Sequence, residues 1–307
     1  MYRSILVPLD GSPFAEQALP IAVAIATTAG ATLTIARAWD PSSYRFNSEL
    51  TPPFLDAEAH DRTVATEYLD AVASRLRTTA NIPVNVAVVA GRAADAIHEC
   101  ATNVGADLIV MTTHALTGLS RAWLGSVADA IVRATSLPVL LCRPVETPRL
   151  TTPGLFSRVV IALDGSAAAE EIVTHAVDIG TMGGASYALV RVVRPVMMPV
   201  HPYTYAAPAW QIDNAATEEA VSHARSYLDA TAQALKARSP GATVDVDVLV
   251  DDRPGTAIVD TVRMRNADLV ALTTHARRGV RLVLGSVADK VLRGTDGAVL
   301  VMHPAAD

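Results

Sequence analysis

Cysteine is nearly absent from the chain, with only Cys100 and Cys142 among 307 residues. Two isolated cysteines make neither a disulfide framework nor a metal-ligand spacing, and they read as small core residues in a reducing compartment. An excess of positive charge is also missing, because 25 Lys and Arg face 31 Asp and Glu for a net charge of -6. That balance excludes the clustered basic surface that a sequence-independent grip on nucleic acid requires. Long uncharged runs are scarce, and the one that matters is Gln17 to Ala36, about the length of a bilayer span. Gly30 and the Thr27-Thr28 pair interrupt it, and a matching segment later in the chain carries His175 and Asp178, which hydrocarbon tolerates poorly. Asp10 breaks the first apolar run before it can serve as a signal peptide. The expectation is a soluble, cytoplasmic protein with neither membrane nor nucleic acid as partner. No Gly-x-Ser-x-Gly elbow, triad or pair of catalytic carboxylates can be argued from the residues.

What is present is apolar substance and repetition. Half the residues are hydrophobic and 18% are charged, enough for a core in each of two domains. "ILVPLDGS" at Ile5 to Ser12 returns as "VVIALDGS" at Val159 to Ser166, and Arg37 returns as Arg191, both at a spacing of 154. Tyr68 returns as Tyr227 after 159 residues, and "ADLIVMTTHA" at Ala106 returns as "ADLVALTTHA" at Ala267 after 161. A repeat that spans the chain fixes the architecture. It predicts a first domain over 1–147, a linker over 148–155 containing Pro148, Pro153 and Gly154, and a second domain over 156–307.

Each half alternates short apolar runs with helical patterns, which implies an open, mostly parallel five-stranded α/β sheet with helices on both faces. Ser12 is expected to cap the first helix, with Pro13 at its first position. Ala65, Leu69, Val72 and Leu76 form one apolar stripe on the long helix, and Ala224, Leu228, Thr231 and Leu235 repeat it. In such a sheet a ligand sits beyond the C-terminal ends of the strands, where the strand order reverses. That rule selects the segments Pro8 to Ser12, Ala38 to Pro41 and Met111 to Gly125, with Ala162 to Ser166, Val192 to Pro195 and Leu272 to Gly285 as their counterparts. Ser126 with Asp129, and Ser286 with Asp289, have the spacing of a capping box. The same helix starts, reached through Gly125 and Gly285, also suit an anion. Both readings stand at this point.

The order of "ILVPLDGS", "GRAADAI", "TTHA" followed by "LGSVAD", and "LPVLLCRP" resembles that of the universal stress protein family, in a tandem form covering both halves. The resemblance implies two Rossmann-like domains of the adenine nucleotide alpha hydrolase type. It implies an internal pseudo-dimer in which the strands near Val139 to Arg143 and Val299 to His303 pair, with further homodimerisation left open. It also implies an adenine-nucleotide ligand, ATP with or without Mg²⁺, and a role in stress or energy-state response with at most slow ATP hydrolysis. Nucleotide-binding members carry Gly-x-x-Gly, nine residues, then Gly-Ser around the phosphates. The matching positions here are Thr112, Ala115, Gly125 and Ser126 in the first half, and Thr273, Ala276, Gly285 and Ser286 in the second, where the gap shortens to eight.

Both leading glycines are therefore replaced, and positive φ at those positions would strain Ala by about 1 kcal/mol and the β-branched Thr by more. The rest of the implied site comprises Pro8, Asp10, Ala38, Met111, His114 and Val127 in the first half, and Asp164, Val192, His275 and Val287 in the second. Asp10 and Asp164 fall near the ribose and phosphates, unless they only shape the "DGS" turn. Ala38 and Val192 fall where the backbone meets the adenine. His114 and His275 have no Cys or carboxylate at ligand spacing and read as structural groups more readily than as catalysts. Arg121, Arg277, Arg278 and Arg281 are candidates for phosphate neutralisation or for solvated charge. The inserted segment Val196 to Trp210 is a candidate lid or partner surface. The related ligase and transferase signatures, His-x-Gly-His and Ser-Gly-Gly, do not occur. The rival to nucleotide binding is a nucleotide-free scaffold whose altered loops serve folding and dimer contacts.

Overall fold

The structure is a computed structural model that describes residues 1–40, 53–113, 124–143, 155–200, 209–274 and 284–303. His114, Ala115, Arg121, His275, Ala276, Arg277, Arg278 and Arg281 lie outside the described residues.

The first copy runs β1 (Ser4–Pro8), a 3₁₀ turn (Ala15–Ala18), α1 (Leu19–Ala29), β2 (Thr32–Trp39), α2 (Pro53–Thr79), β3 (Val84–Ala90), α3 (Ala93–Asn103), β4 (Leu108–Thr112), α4 (Ser126–Ala134) and β5 (Val139–Cys142). The second runs β6 (Arg158–Ala162), α5 (Ala167–Met182), β7 (Ser186–Val193), an inserted pair β8 (Met197–Val200) and β9 (Ala209–Ile212), α6 (Asn214–Arg238), β10 (Val244–Val250), α7 (Pro254–Met264), β11 (Leu269–Thr273), α8 (Ser286–Gly294) and β12 (Ala298–Met302). The chain divides into two compact units, one of Met1–Leu155 with Thr274–Leu284 and Asp296–Asp307, the other of Phe156–Thr273 with Gly285–Thr295.

In the first unit the strands lie in the order β3-β2-β1-β4-β5, all parallel, and β12 adds antiparallel to β5 with Val299 opposite Leu141 and Val301 opposite Val139. In the second, β10-β7-β6-β11 is parallel throughout. The order reverses between β1 and β4, and between β6 and β11, so each unit has one switch point. Right-handed crossovers place α1 and α2 on one face of the first sheet and α3 and α4 on the other. Continuous apolar strands are what a sheet covered on both faces needs, and Ile5, Leu6, Val7, Leu33, Ile35, Leu108 and Ile109 are fully buried. The α2 stripe of Ala65, Leu69, Val72 and Leu76 is buried, each large side chain contributing about 1.5–3 kcal/mol.

The repeated "AD" before β4 and β11 has a structural cause. Asp107 accepts the backbone N–H groups of Arg3 at 2.7 Å and Ser4 at 3.1 Å, pinning the start of β1 beside β4. Asp268 accepts from the Ser157 N–H at 2.9 Å, the Ser157 hydroxyl at 2.8 Å and the Arg158 N–H at 3.0 Å, which does the same for β6. Edge strands are guarded by arginine: Arg77 donates to the Val84 carbonyl on β3, and Arg225 donates to the Val246 carbonyl on β10 at 2.7 Å. The insertion forms an antiparallel ribbon, with Met197 opposite Ile212 and Pro199 opposite Trp210; residues 201–208 between its strands lie outside the described residues. Its apolar side chains stand in solvent, Met197 47%, Ile212 47% and Trp210 63% exposed. Among the described residues no helix is long and apolar enough to cross a membrane.

Candidate functional site

The first switch point opens a cleft of about 270 Å³. Pro8 and Asp10 enter it from the end of β1, Ala38 from β2, Met111 and Thr112 from β4, and Gly125, Ser126 and Val127 from the start of α4. Every first-half site residue expected from the sequence and described in the structure thus lines one cavity. Sequence reasoning missed five further lining residues: Ala15 in the 3₁₀ turn, Arg37 on β2, Ala93 and Ile97 on α3, and Ala128 on α4. The recurrence of Arg37 at Arg191 was the available signal.

The floor of the cleft is set by the turn after β1. Asp10 accepts the Ser12 N–H at 2.8 Å in an Asx turn, and the Ser12 hydroxyl accepts the Ala15 N–H at 3.1 Å. Ser12 therefore caps as expected. The chain then passes through the 3₁₀ turn, and Pro20 rather than Pro13 sits in the first turn of α1. Gly11, between Asp10 and Ser12, has φ +91°, which only glycine adopts without strain.

The wall is the β4 end and the start of α4. Thr112 is the last residue of β4, opposite Cys142, and Asn266 is the sole non-glycine with positive φ among the described residues. Thr at this position is an unstrained strand residue, so the conformational cost expected from replacing a glycine is not incurred. The carbonyl of Thr113 accepts the Gly125 N–H at 2.6 Å, which ties the strand end to the helix start.

The expected capping box is not formed. Gly125, at φ -59° and ψ 149°, occupies the N-cap position of α4, Ser126 is the first helical residue, and no side chain caps the helix. The Asp129 carboxylate turns to Arg133, four residues on, at 2.9 Å from Nε and 2.8 Å from Nη2. With Gly125 at the N-cap, Ser126 and Asp129 are the first and fourth helical residues rather than the N-cap and third, and the carboxylate is held in the i,i+4 ion pair instead. Gly285 likewise caps α8 without a side chain, and Asp289 pairs with Arg293 at 2.8 Å.

Electrostatics beside the cleft centre on α2. The Tyr68 hydroxyl donates to Glu16 at 3.0 Å, and Arg75 pairs with the other Glu16 oxygen. Burial, with the Glu16 hydrogen bond second, holds the Tyr68 hydroxyl well above its ordinary range. Among the described residues no group of three His, Cys, Asp or Glu side chains is arranged to hold a metal.

The profile of the Universal stress protein family matches residues 1–143 and again 155–303. The chain belongs to the universal stress protein family. A universal stress protein of Thermus aquaticus is 34% identical over 144 residues, 47% of this chain and 100% of that one. A universal stress protein of Mycobacterium tuberculosis is 29% identical over 142 residues, 46% of each chain. A universal stress protein from Archaeoglobus fulgidus shares the fold over 98% of both chains, with a TM-score of 0.70 at 19% identity.

The second universal stress unit sets the same pieces at its own strand ends: Asp164 after β6, Val192 on β7, Thr273 at the end of β11, and Gly285, Ser286 and Val287 at the start of α8. Its acidic residue is more committed. One Asp164 oxygen takes both the Ser166 N–H at 2.9 Å and the Ser166 hydroxyl at 2.7 Å, whereas Ser12 gives Asp10 its N–H; in both copies the serine hydroxyl also accepts the N–H three residues on, from Ala15 and Ala169 at 3.1 Å.

Proposed function

We propose that the first universal stress unit binds an adenine nucleotide, ATP by preference, and that the chain acts as a stress- or energy-state-responsive regulator rather than as a fast enzyme. The observation that carries this reading is the convergence of Pro8, Asp10, Ala38, Thr112 and Gly125 on one cleft at the strand-order switch point. A group suited to phosphate lies there, the start of α4, which no side chain caps. The backbone of Ala38 would meet the adenine, and the Asp10 turn the ribose side. Side-chain changes leave a backbone contact intact, so adenine selection survives the loss of the loop glycines. The second unit, with Asp164 bound twice by Ser166, is the weaker site in this proposal.

The test is to denature the purified chain, identify any released nucleotide by absorbance and mass spectrometry, and titrate the nucleotide-free protein with ATP and Mg²⁺ by calorimetry. The expected result is adenine nucleotide release or saturable heat, abolished by Gly125→Val and little changed by Gly285→Val. Val tolerates the Gly125 backbone angles, so that variant obstructs approach without unfolding the helix. No released nucleotide and no heat at millimolar ATP would favour the nucleotide-free scaffold.

A further inference from the structure

The Arg37 guanidinium has no hydrogen-bond acceptor among the described residues, although it is half-buried and lines the first cleft. Its Cζ lies 5.4 Å from the centroid of the Tyr68 ring, a cation–π contact. It also lies flat beneath Gly11: a methyl group built there would meet Cζ and Nη1 at 3.4 Å and Nη2 at 3.5 Å, near-equal distances that put the planar face toward the turn. Of the carboxylates around Tyr68, Glu16 takes Tyr68 on one oxygen and Arg75 on the other, and Asp10, which shares the cleft with Arg37, accepts the Ser12 N–H. A guanidinium carries five N–H donors in a fixed plane and stays charged at every physiological pH. Here its position is fixed by a ring and a backbone glycine, neither of which accepts those N–H groups. The second copy repeats the arrangement, with Arg191 Cζ at 5.3 Å from the Tyr227 ring and beneath Gly165. It does so although the residue matching Arg75 is Ala234, so the stacked arginine does not depend on the outer ion pair.

We propose that Arg37 supplies the positive charge for the anionic group of the ligand, and that it makes the cleft select a phosphorylated adenine nucleotide over the neutral nucleoside. This rests on the nucleotide reading above and adds the residue that discriminates. The phosphate loop has lost both leading glycines, and a fixed guanidinium at the same cleft compensates by binding an anion in its plane.

The experiment compares ATP and adenosine binding to the full chain by calorimetry, for the parent protein, Arg37→Gln and Arg37→Lys, with thermal unfolding as the check on folding. Arg37→Gln is expected to lower ATP affinity about tenfold or more while adenosine affinity stays within about twofold, since a charge-assisted pair is roughly twice as strong as a neutral one. Arg37→Lys keeps the charge without the fork and is expected to fall between the two. If Arg37 only props the Gly11 turn, both ligands weaken together, and an ATP-to-adenosine ratio unchanged in both variants overturns the proposal. Should Arg37→Gln fail to fold, the parent decides: ATP affinity must fall as salt rises while adenosine affinity does not, and equal salt dependence overturns the proposal. A parent that binds neither ligand defeats the nucleotide reading itself, whereas a parent that binds both equally well defeats only the role of Arg37.

Discussion

Gly165 in the second copy combines a positive φ with a close contact to a stacked side chain. Its φ of +90° lies in the region that L-residues with a Cβ avoid, and a methyl group there would approach Arg191 Nη1 to 2.5 Å and Cζ to 2.7 Å. Gly165→Ala therefore carries two costs. The backbone contributes about 1–2 kcal/mol for holding alanine at positive φ. Displacing the guanidinium from Tyr227 removes a cation–π contact worth about 0.5–1 kcal/mol at a half-exposed site. The sum is about 1.5–3 kcal/mol. Gly11→Ala at φ +91° carries only the first cost, because its methyl would meet Arg37 at 3.4 Å, ordinary contact. Urea unfolding followed by circular dichroism, at constant m, measures both. The two terms separate in a double-mutant cycle: Gly165→Ala should cost less in an Arg191→Ala background than alone, while the Gly11/Arg37 cycle should close to within about 0.3–0.5 kcal/mol. Parent-like stability in Gly165→Ala, or additivity at Gly165 and Arg191, would refute the reasoning that the guanidinium packs against this turn.

Asp107→Ala and Asp268→Ala each leave two or three strand-start donors without their carboxylate and are expected to lower unfolding stability by about 1–2 kcal/mol in urea; Asp268, with three donors to satisfy, should show the larger loss, and the reverse order would contradict the staple role. Burial, followed by repulsion from Glu170, raises the Tyr227 hydroxyl from 10.0 to about 12. The unfolded tyrosine gives up its proton first, so this contribution is complete below about pH 10 and is lost as pH rises to about 12. Tyr227→Phe should flatten that part of the urea-midpoint profile, and an unchanged alkaline slope would argue against it.

Much of the fold was legible because it is written twice. Apolar runs at fixed spacing gave the strands, and the α2 and α6 stripes gave the faces that pack on them, since burial of one face is the dominant local signal. Competing local signals were harder to rank. Ser126 and Asp129 fit a capping box, but Asp129 and Arg133 equally fit an i,i+4 ion pair, and the sequence does not say which a single carboxylate will choose. Pro199 lies within "VMMPV", which argues against a strand, yet a two-stranded ribbon has open edges where the missing N–H is tolerated. The glycine-loop pattern marks Thr112 as a strained substitution, whereas its place at the end of β4 makes it ordinary extended backbone.

The sequence marks the recurrence of Arg37 but not its place in the cleft, for a physical reason. A single arginine in an apolar strand reads as an exposed end residue, and nothing local marks the tyrosine on another helix or the glycine in another turn that holds it. The duplication supplies the missing comparison. Asp107 and Asp268 recur, and the hydrogen bonds they accept from the strand starts give them a structural role as staples. Arg37 and Arg191 recur with the same ring and the same glycine, but their donors meet no acceptor among the described residues. The ring and the glycine account for how their planes are held, and in the first copy the cleft beside Arg37 is where an anionic partner would reach its N–H edge.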